Sequence, residues 1–133
     1  MTTTINAVSG TGLTQTVDGS GIVKLQSNGV TTNALAWVNF NGSTGAIRTS
    51  YNVASVTKNA TGDYTVNFAN ALTDANYVPV ASTSAWYATQ WNYGVSINTT
   101  TSSATESAPT TTALRLFQYT VSGAYDPKYF SVV

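Results

Sequence analysis

The side chains able to do acid–base chemistry in this sequence are few. The carboxylates are Asp18, Asp63, Asp74, Glu106 and Asp126, the cations are Lys24, Arg48, Lys58, Arg115 and Lys128, and His and Cys are absent. Without His the commonest general base and metal ligand is missing. Without Cys there is no thiolate nucleophile, cysteine metal site or disulfide framework. Glycosidase chemistry needs two carboxylates facing one cleft. The five acids instead sit in turn-like or Thr/Ser-rich contexts such as Asp18-Gly19, Gly62-Asp63 and Asp126-Pro127. An Asp there usually bonds nearby backbone N–H groups, a local structural role. No Asp-x-Asp loop suits calcium, and no Gly-rich phosphate loop precedes a helix. A Ser–Lys dyad on Lys24, Lys58 or Lys128 has no motif behind it. The inventory predicts a protein with no catalytic residues, no cofactor and no metal.

The densest group of recognition-type side chains is Trp86, Tyr87, Trp91 and Tyr93, interleaved with Thr89, Gln90 and Asn92. Such aromatics stack on sugar rings or anchor a partner. They equally fill a core or a subunit interface. Trp37 and Phe40, inside a strand-like run, are expected in the core. The Asn-x-Ser/Thr triplets at Asn41, Asn59 and Asn98 follow from a composition rich in these residues.

The elements that must position these groups are strands. The chain has 133 residues, enough for one domain that buries about two-thirds of its unfolded surface. Hydrophobic residues make up 42%, whereas charged residues make up only 8% and cancel to zero net charge. Typical domains carry about 25% charged residues. So small and balanced a charge leaves no electrostatic footprint for nucleic acid or an anionic membrane. Thr favours strands, while Ser and Asn favour turns. The first ten residues show neither a basic nor an apolar signal-peptide region. No apolar run approaches the roughly 18 residues of a membrane span.

Residues 1–16 read as an extended N-terminal arm and 17–133 as a single β domain. A first strand surrounds Ile22, Val23 and Leu25, and Asn28-Gly29 marks a hairpin. Residues 34–40 form a second run. Residues 46–57 alternate, which predicts one strand with Ile47, Thr49, Tyr51 and Val53 on one face. Tyr64, Val66 and Phe68 alternate with Thr65 and Asn67, and the expected hairpin partner is 50–56. Pro79 makes 77–81 an edge or bulged strand. Further strands are expected around Trp86-Tyr87, at 95–97, at 113–121 and at 128–133, with a Thr/Ser-rich loop at 98–112. Eight or nine short strands with regular turn signals predict an all-β fold, an antiparallel β-sandwich or a jelly-roll-like barrel.

From Ala36-Trp37-Val38-Asn39-Phe40-Asn41-Gly42 the chain resembles a β-rich module of bacteriophage and prophage tail-fibre and virion-surface proteins. The likeness continues through Ala46-Ile47-Arg48, Ser50-Tyr51-Asn52-Val53 and Ser55-Val56. It resumes at Thr61-Gly62-Asp63-Tyr64-Thr65-Val66-Asn67-Phe68 and Asp74-Ala75-Asn76-Tyr77, and the lead-in is Gly19-Ser20-Gly21-Ile22-Val23-Lys24-Leu25-Gln26. The resemblance implies a virion component without enzyme activity, commonly homotrimeric. Such modules usually stand behind a shaft, which the residues before Gly19 are too few to supply.

The expectation is therefore a small trimeric knob at the virion surface, assembled in the host cytoplasm. Its partners would be other capsid or tail proteins, and a host-surface glycan is a candidate ligand. Nucleic acid and membrane are not expected partners. A different class of function is a stand-alone carbohydrate-binding module using Trp86, Tyr87, Trp91 and Tyr93.

Overall fold

The computed structural model describes residues 25–27, 30–31, 33–84, 92–97, 108–120 and 123–133. Among them are strands and no helix. In chain order they are β1 (Gln26–Ser27), β2 (Val30–Thr31), β3 (Trp37–Phe40), β4 (Ile47–Tyr51), β5 (Val53–Ala60), β6 (Asp63–Phe68), β7 (Ala81–Thr83), β8 (Asn92–Ile97), β9 (Ala113–Thr120), β10 (Gly123–Ala124) and β11 (Phe130–Val132). The pairing of β1 with β2 sets Ser27 opposite Val30, as the Asn28-Gly29 signal requires. The expected arm, 1–16, and the centre of the expected first strand, 22–24, lie outside the described residues.

The other strands make two antiparallel sheets. The first has the order β4-β3-β11-β7. In the second, β5 pairs β6 and β6 pairs β9. Phe117 of β9 pairs with both Asp63 of β6 and Ser96 of β8, so β6 and β8 flank β9 on opposite sides. The short β10 pairs with Tyr119 and Thr120 of β9. All-β architecture in two antiparallel sheets is what the alternation and turn chemistry predict.

Period-two patterning makes the core. A strand turns alternate side chains to opposite faces. Tyr64, Val66, Leu114 and Leu116 of the second sheet therefore meet Val38, Phe40, Phe130 and Val132 of the first, and all eight are buried. At their centre Phe40 stacks on Phe130 at 4.9 Å, and Tyr64 meets both edge-on at 5.2 and 5.4 Å. Burying a side chain of this size contributes about 1.5–3 kcal/mol. Edge and offset ring geometry adds about 0.5–1.5 kcal/mol per pair.

Two irregularities correct the sequence reading. The run 46–57 is two strands in different sheets, because Asn52 takes φ 52° and turns the chain from β4 to β5. Asn52 is held there by its own amide. Its Nδ2 donates to the carbonyls of Leu35 and Asn70, each at 3.2 Å, and its Oδ1 accepts from the Asn70 N–H at 2.9 Å. Asn tolerates this left-handed conformation better than most residues. The second irregularity is a bulge. Asn39 pairs with Thr49 but the next residue, Phe40, pairs with Ile47, leaving Arg48 as the extra residue. The bulge turns Ile47 onto the core while Thr49 stays on the outer face, so the two do not share a side. The partner of β6 is also longer than expected, running to Ala60.

Trp37 is another correction. It is 37% exposed, whereas Phe40 is fully buried as expected. Val38 and Phe40 take the inward positions of β3, so alternation sends Trp37 outward with Asn39.

The Asn52 corner gives a direct expectation. Asn52→Ala removes both the amide bonds and the tolerance for positive φ, and costs about 2–4 kcal/mol. Asn52→Gly keeps the conformation and costs less. Urea denaturation of the two variants should rank them in that order.

Candidate functional site

The charged groups come first, since any catalytic reading would need one of them free. Asp126 follows β10 and precedes Pro127, but its bonds are not local. Its Oδ1 accepts from the Tyr64 hydroxyl at 2.6 Å and the Gly62 N–H at 2.8 Å, and its Oδ2 pairs with Lys58 Nζ at 2.5 Å. Lys58 also donates to the Ser43 carbonyl at 3.0 Å, and the Gly42 N–H donates to the Pro127 carbonyl at 2.9 Å. A Cβ at Gly42 would lie 2.5 Å from that carbonyl and 2.8 Å from the Tyr64 hydroxyl oxygen, so only glycine fits. The turns after β3 and β5 and the segment before β11 are thus tied at one end of the molecule.

Burial pushes the Asp126 carboxyl up, but the Gly62 N–H, Lys58 and the Tyr64 hydroxyl outweigh it and hold the carboxyl below its ordinary range. Burial and then Asp126 itself push the Tyr64 hydroxyl well above the ordinary tyrosine range. Tyr64 is therefore a neutral donor to a carboxylate at physiological pH.

Asp63, 1% exposed at the start of β6, meets Arg115 of β9 in a two-pronged pair, Nε to Oδ1 at 2.9 Å and Nη2 to Oδ2 at 2.7 Å. Asn59 Nδ2 adds a bond to Oδ1 at 3.0 Å. Asp74 accepts from the Asn76 N–H at 2.7 Å, the local turn role expected of it. For Asp63 and Asp126 that expectation is corrected. Both join segments far apart in sequence. Among the described residues no three acids gather as metal ligands would.

At the opposite end, where β3 and β9 begin and β6 and β11 finish, the sheets part over a cleft of about 600 Å³. Core residues Val38, Val66, Leu114 and Val132 line its depth, and Phe68, Leu72 and Tyr77 its walls. The Tyr77 ring meets Phe68 edge-on at 5.8 Å, and its hydroxyl donates to the carbonyls of Thr110 and Ala113 at 3.1 and 3.2 Å. Trp37, Val78, Val80 and Val133 stand about the mouth, with Val78 85% and Val80 65% exposed. Among the described residues of the lining, Asp74 is the only charged side chain.

The mouth continues as a row across the outer face of the first sheet. Val80 and Val133 exchange backbone bonds at 2.9 and 2.8 Å. Val132 pairs with Val38, which brings Val133 beside Trp37, and Trp37 pairs with Tyr51. One strand step on, Ser82, Ser131, Asn39 and Thr49 make a second row of hydroxyls and amides. Beyond these lies Tyr129, with the Arg48 guanidinium 4.4 Å from its ring centre.

The aromatic cluster read from the sequence is only partly placed. Trp86, Tyr87 and Trp91 lie outside the described residues, and Tyr93 lies in β8, where the register shifts between Asn92 and Gly94. The outward row was missed in the sequence. The strand expected at 77–81 is found instead at Ala81–Thr83, so Val78 and Val80 stand before it, outside any strand. Nothing in the sequence announces the Lys58–Asp126–Tyr64 cluster. The chain matches no family model, no curated protein and no solved structure.

The two ionic clusters carry separate expectations. Arg115→Ala strands a buried carboxylate and should cost about 3 kcal/mol in urea unfolding. The depressed Asp126 carboxyl contributes stability that is full above the ordinary carboxylate range, near pH 4, and is lost as pH falls through its lower folded value. The raised Tyr64 hydroxyl contributes stability that is full below about pH 10 and lost as pH rises beyond it. Tyr64→Phe should weaken the fold at neutral pH and flatten the alkaline fall, as thermal melts across pH would show.

Proposed function

We propose that this chain is a non-enzymatic structural protein of a bacteriophage virion surface, a small homotrimeric knob that decorates a capsid or caps a short fibre. The observation that carries the reading is the apolar mouth of the cleft. Val78, Val80, Val133 and Trp37 stand exposed together there, on a chain with only 8% charged residues. An exposed apolar group of this kind marks an interaction surface. Closed rotational symmetry lets each copy cover part of its neighbour's patch without leaving a sticky edge. A chain without net charge meets little self-repulsion when it does so.

Two further points support the reading. The described carboxylates, Asp63, Asp74 and Asp126, all serve internal bonds, as the acids of a structural protein do. The segments that resemble phage tail-fibre modules also coincide with the elements that build the sandwich, from β3 through β6 to the wall of the cleft. Uncharged Ser, Thr and Asn surfaces suit contacts that must persist as salt varies, because there is little charge to screen.

Sedimentation equilibrium tests the assembly. The expected mass is three times the 13.9 kDa of the chain. The double variant Val78→Ser, Val80→Ser should shift that mass towards one chain while leaving the unfolding transition of the dissociated chain cooperative. A single-chain mass for the unmodified protein at every concentration would remove the trimer from the reading.

A further inference from the structure

We infer that the end of the first sheet's outer face formed by Arg48, Lys128 and Tyr129 binds the carboxylate of an acidic oligosaccharide. The inference begins with an accounting of cations. Of five in the chain, Lys58 is paired with Asp126 and Arg115 with Asp63, and Lys24 lies outside the described residues. Arg48 and Lys128 remain. Both are exposed, and neither has a carboxylate within ion-pair distance among the described residues.

The two cations converge. Arg48 lies 4.4 Å and Lys128 5.8 Å from the centre of the same Tyr129 ring, which is itself 48% exposed. Each cation is drawn to the ring's negative face, and two unpaired positive charges near one ring raise the local positive potential. An anion bound beside them would be stabilised by both charges. Charge complementarity of this kind selects a partner by its sign.

Arg48 is also held in place before any ligand arrives. As the bulged residue of β4 it projects from the sheet, and its Nη2 donates to the Lys128 carbonyl at 2.6 Å and its Nη1 to Asn39 Oδ1 at 3.4 Å. These bonds use two of the five guanidinium N–H donors and leave three. A planar guanidinium edge matches a carboxylate in a two-pronged pair. Fixing it in advance lowers the ordering cost of binding.

The neighbouring row identifies what the carboxylate belongs to. Ser82, Ser131, Asn39 and Thr49 are spaced at the strand separation of about 4.8 Å. Asn39 Nδ2 already donates to Ser131 Oγ at 2.8 Å, which orients both groups. A row of uncharged donors and acceptors beside a cationic end suits a chain of hydroxyl-bearing rings that ends in an acid. Nucleic acid fits less well, since two cations neutralise too few phosphates to hold a polyanion. The site is complete within one chain. It therefore goes beyond the assembly proposed above, and binding is read separately from mass.

Isothermal titration of the full chain with trigalacturonic acid, 3′-sialyllactose, galactose 6-phosphate as an alternative acid and, as neutral controls, maltotriose and lactose is the test. At least one acidic sugar should bind, and its neutral counterpart should bind at least about tenfold more weakly, a charge-assisted bidentate bond being worth that much. Arg48→Gln should reduce the acidic binding by a similar factor, and Lys128→Gln by less, with the sedimentation mass unchanged in both. Three results would overturn the inference. They are no binding of either acidic sugar at about 10 mM, a concentration that still detects weak sites, equal binding of acidic and neutral sugars, and full binding by Arg48→Gln. Galactose 6-phosphate binding in preference to the carboxylated sugars would overturn the choice of acid.

Discussion

The carboxylate of Asp126 is the tie on which the arrangement of this molecule depends. It gathers the turn before β6, the Tyr64 ring at the core and the Lys58 ammonium of β5 onto the segment that leads into β11. Beside it, the Pro127 carbonyl takes the Gly42 N–H of the turn after β3. The strands of both sheets are thereby pinned at one end by a group that accepts three bonds at once. A buried polar cluster is favourable only when its members are satisfied. Here the aromatic core supplies one of the donors, so Tyr64 belongs both to the apolar stack with Phe40 and Phe130 and to the polar tie.

The other end of the molecule is built differently. The strands that meet tightly at Asp126 diverge towards Trp37 and Tyr77, where apolar walls enclose a cleft of about 600 Å³. With charge so scarce, the two ion pairs are spent where burial makes them count, Asp63 at 1% exposure and Asp126 at 18% for its side chain. Among the described residues the open end has no such pair, and its apolar mouth carries Asp74 as the one charged side chain. The closed end serves stability and the open end carries the surface through which the proposed assembly forms.

Much of the fold was legible because it rests on alternation. Tyr64, Val66 and Phe68, the run that begins at Ala113, and the Asn28-Gly29 signal all place strands where they occur. What alternation conceals is a change of sheet in mid-pattern. The period runs unbroken from Ile47 to Val53, yet Asn52 turns the chain into the other sheet and the bulge at Arg48 reverses the side of Ile47. Neither event disturbs the sequence period, since the bulge is defined by its register against β3 and the corner by the bonds of Asn52 to Leu35 and Asn70. The same holds for the Asp126 cluster, whose members lie more than sixty residues from it. An Asp before a Pro reads as a turn, and only the fold reveals what it reaches. The outward row at the cleft was not legible, because Trp37 sits in a strand whose residues Val38 and Phe40 are both core, and three of the four aromatics singled out in the sequence lie outside the described residues.

The bulge joins these threads. Had β4 paired with β3 without it, Thr49 opposite Asn39 would have carried Arg48 inward beside Phe40, where an unpaired cation is costly. One extra residue instead places Ile47 on the core and Arg48 outside, over Tyr129. The local irregularity both protects the apolar interior and creates the only described pairing of cations without acids. Bulges often re-aim a side chain beside a functional site. In a chain with five cations, two lie near one exposed ring, and the hydroxyls and amides of the first sheet's outer face lie alongside.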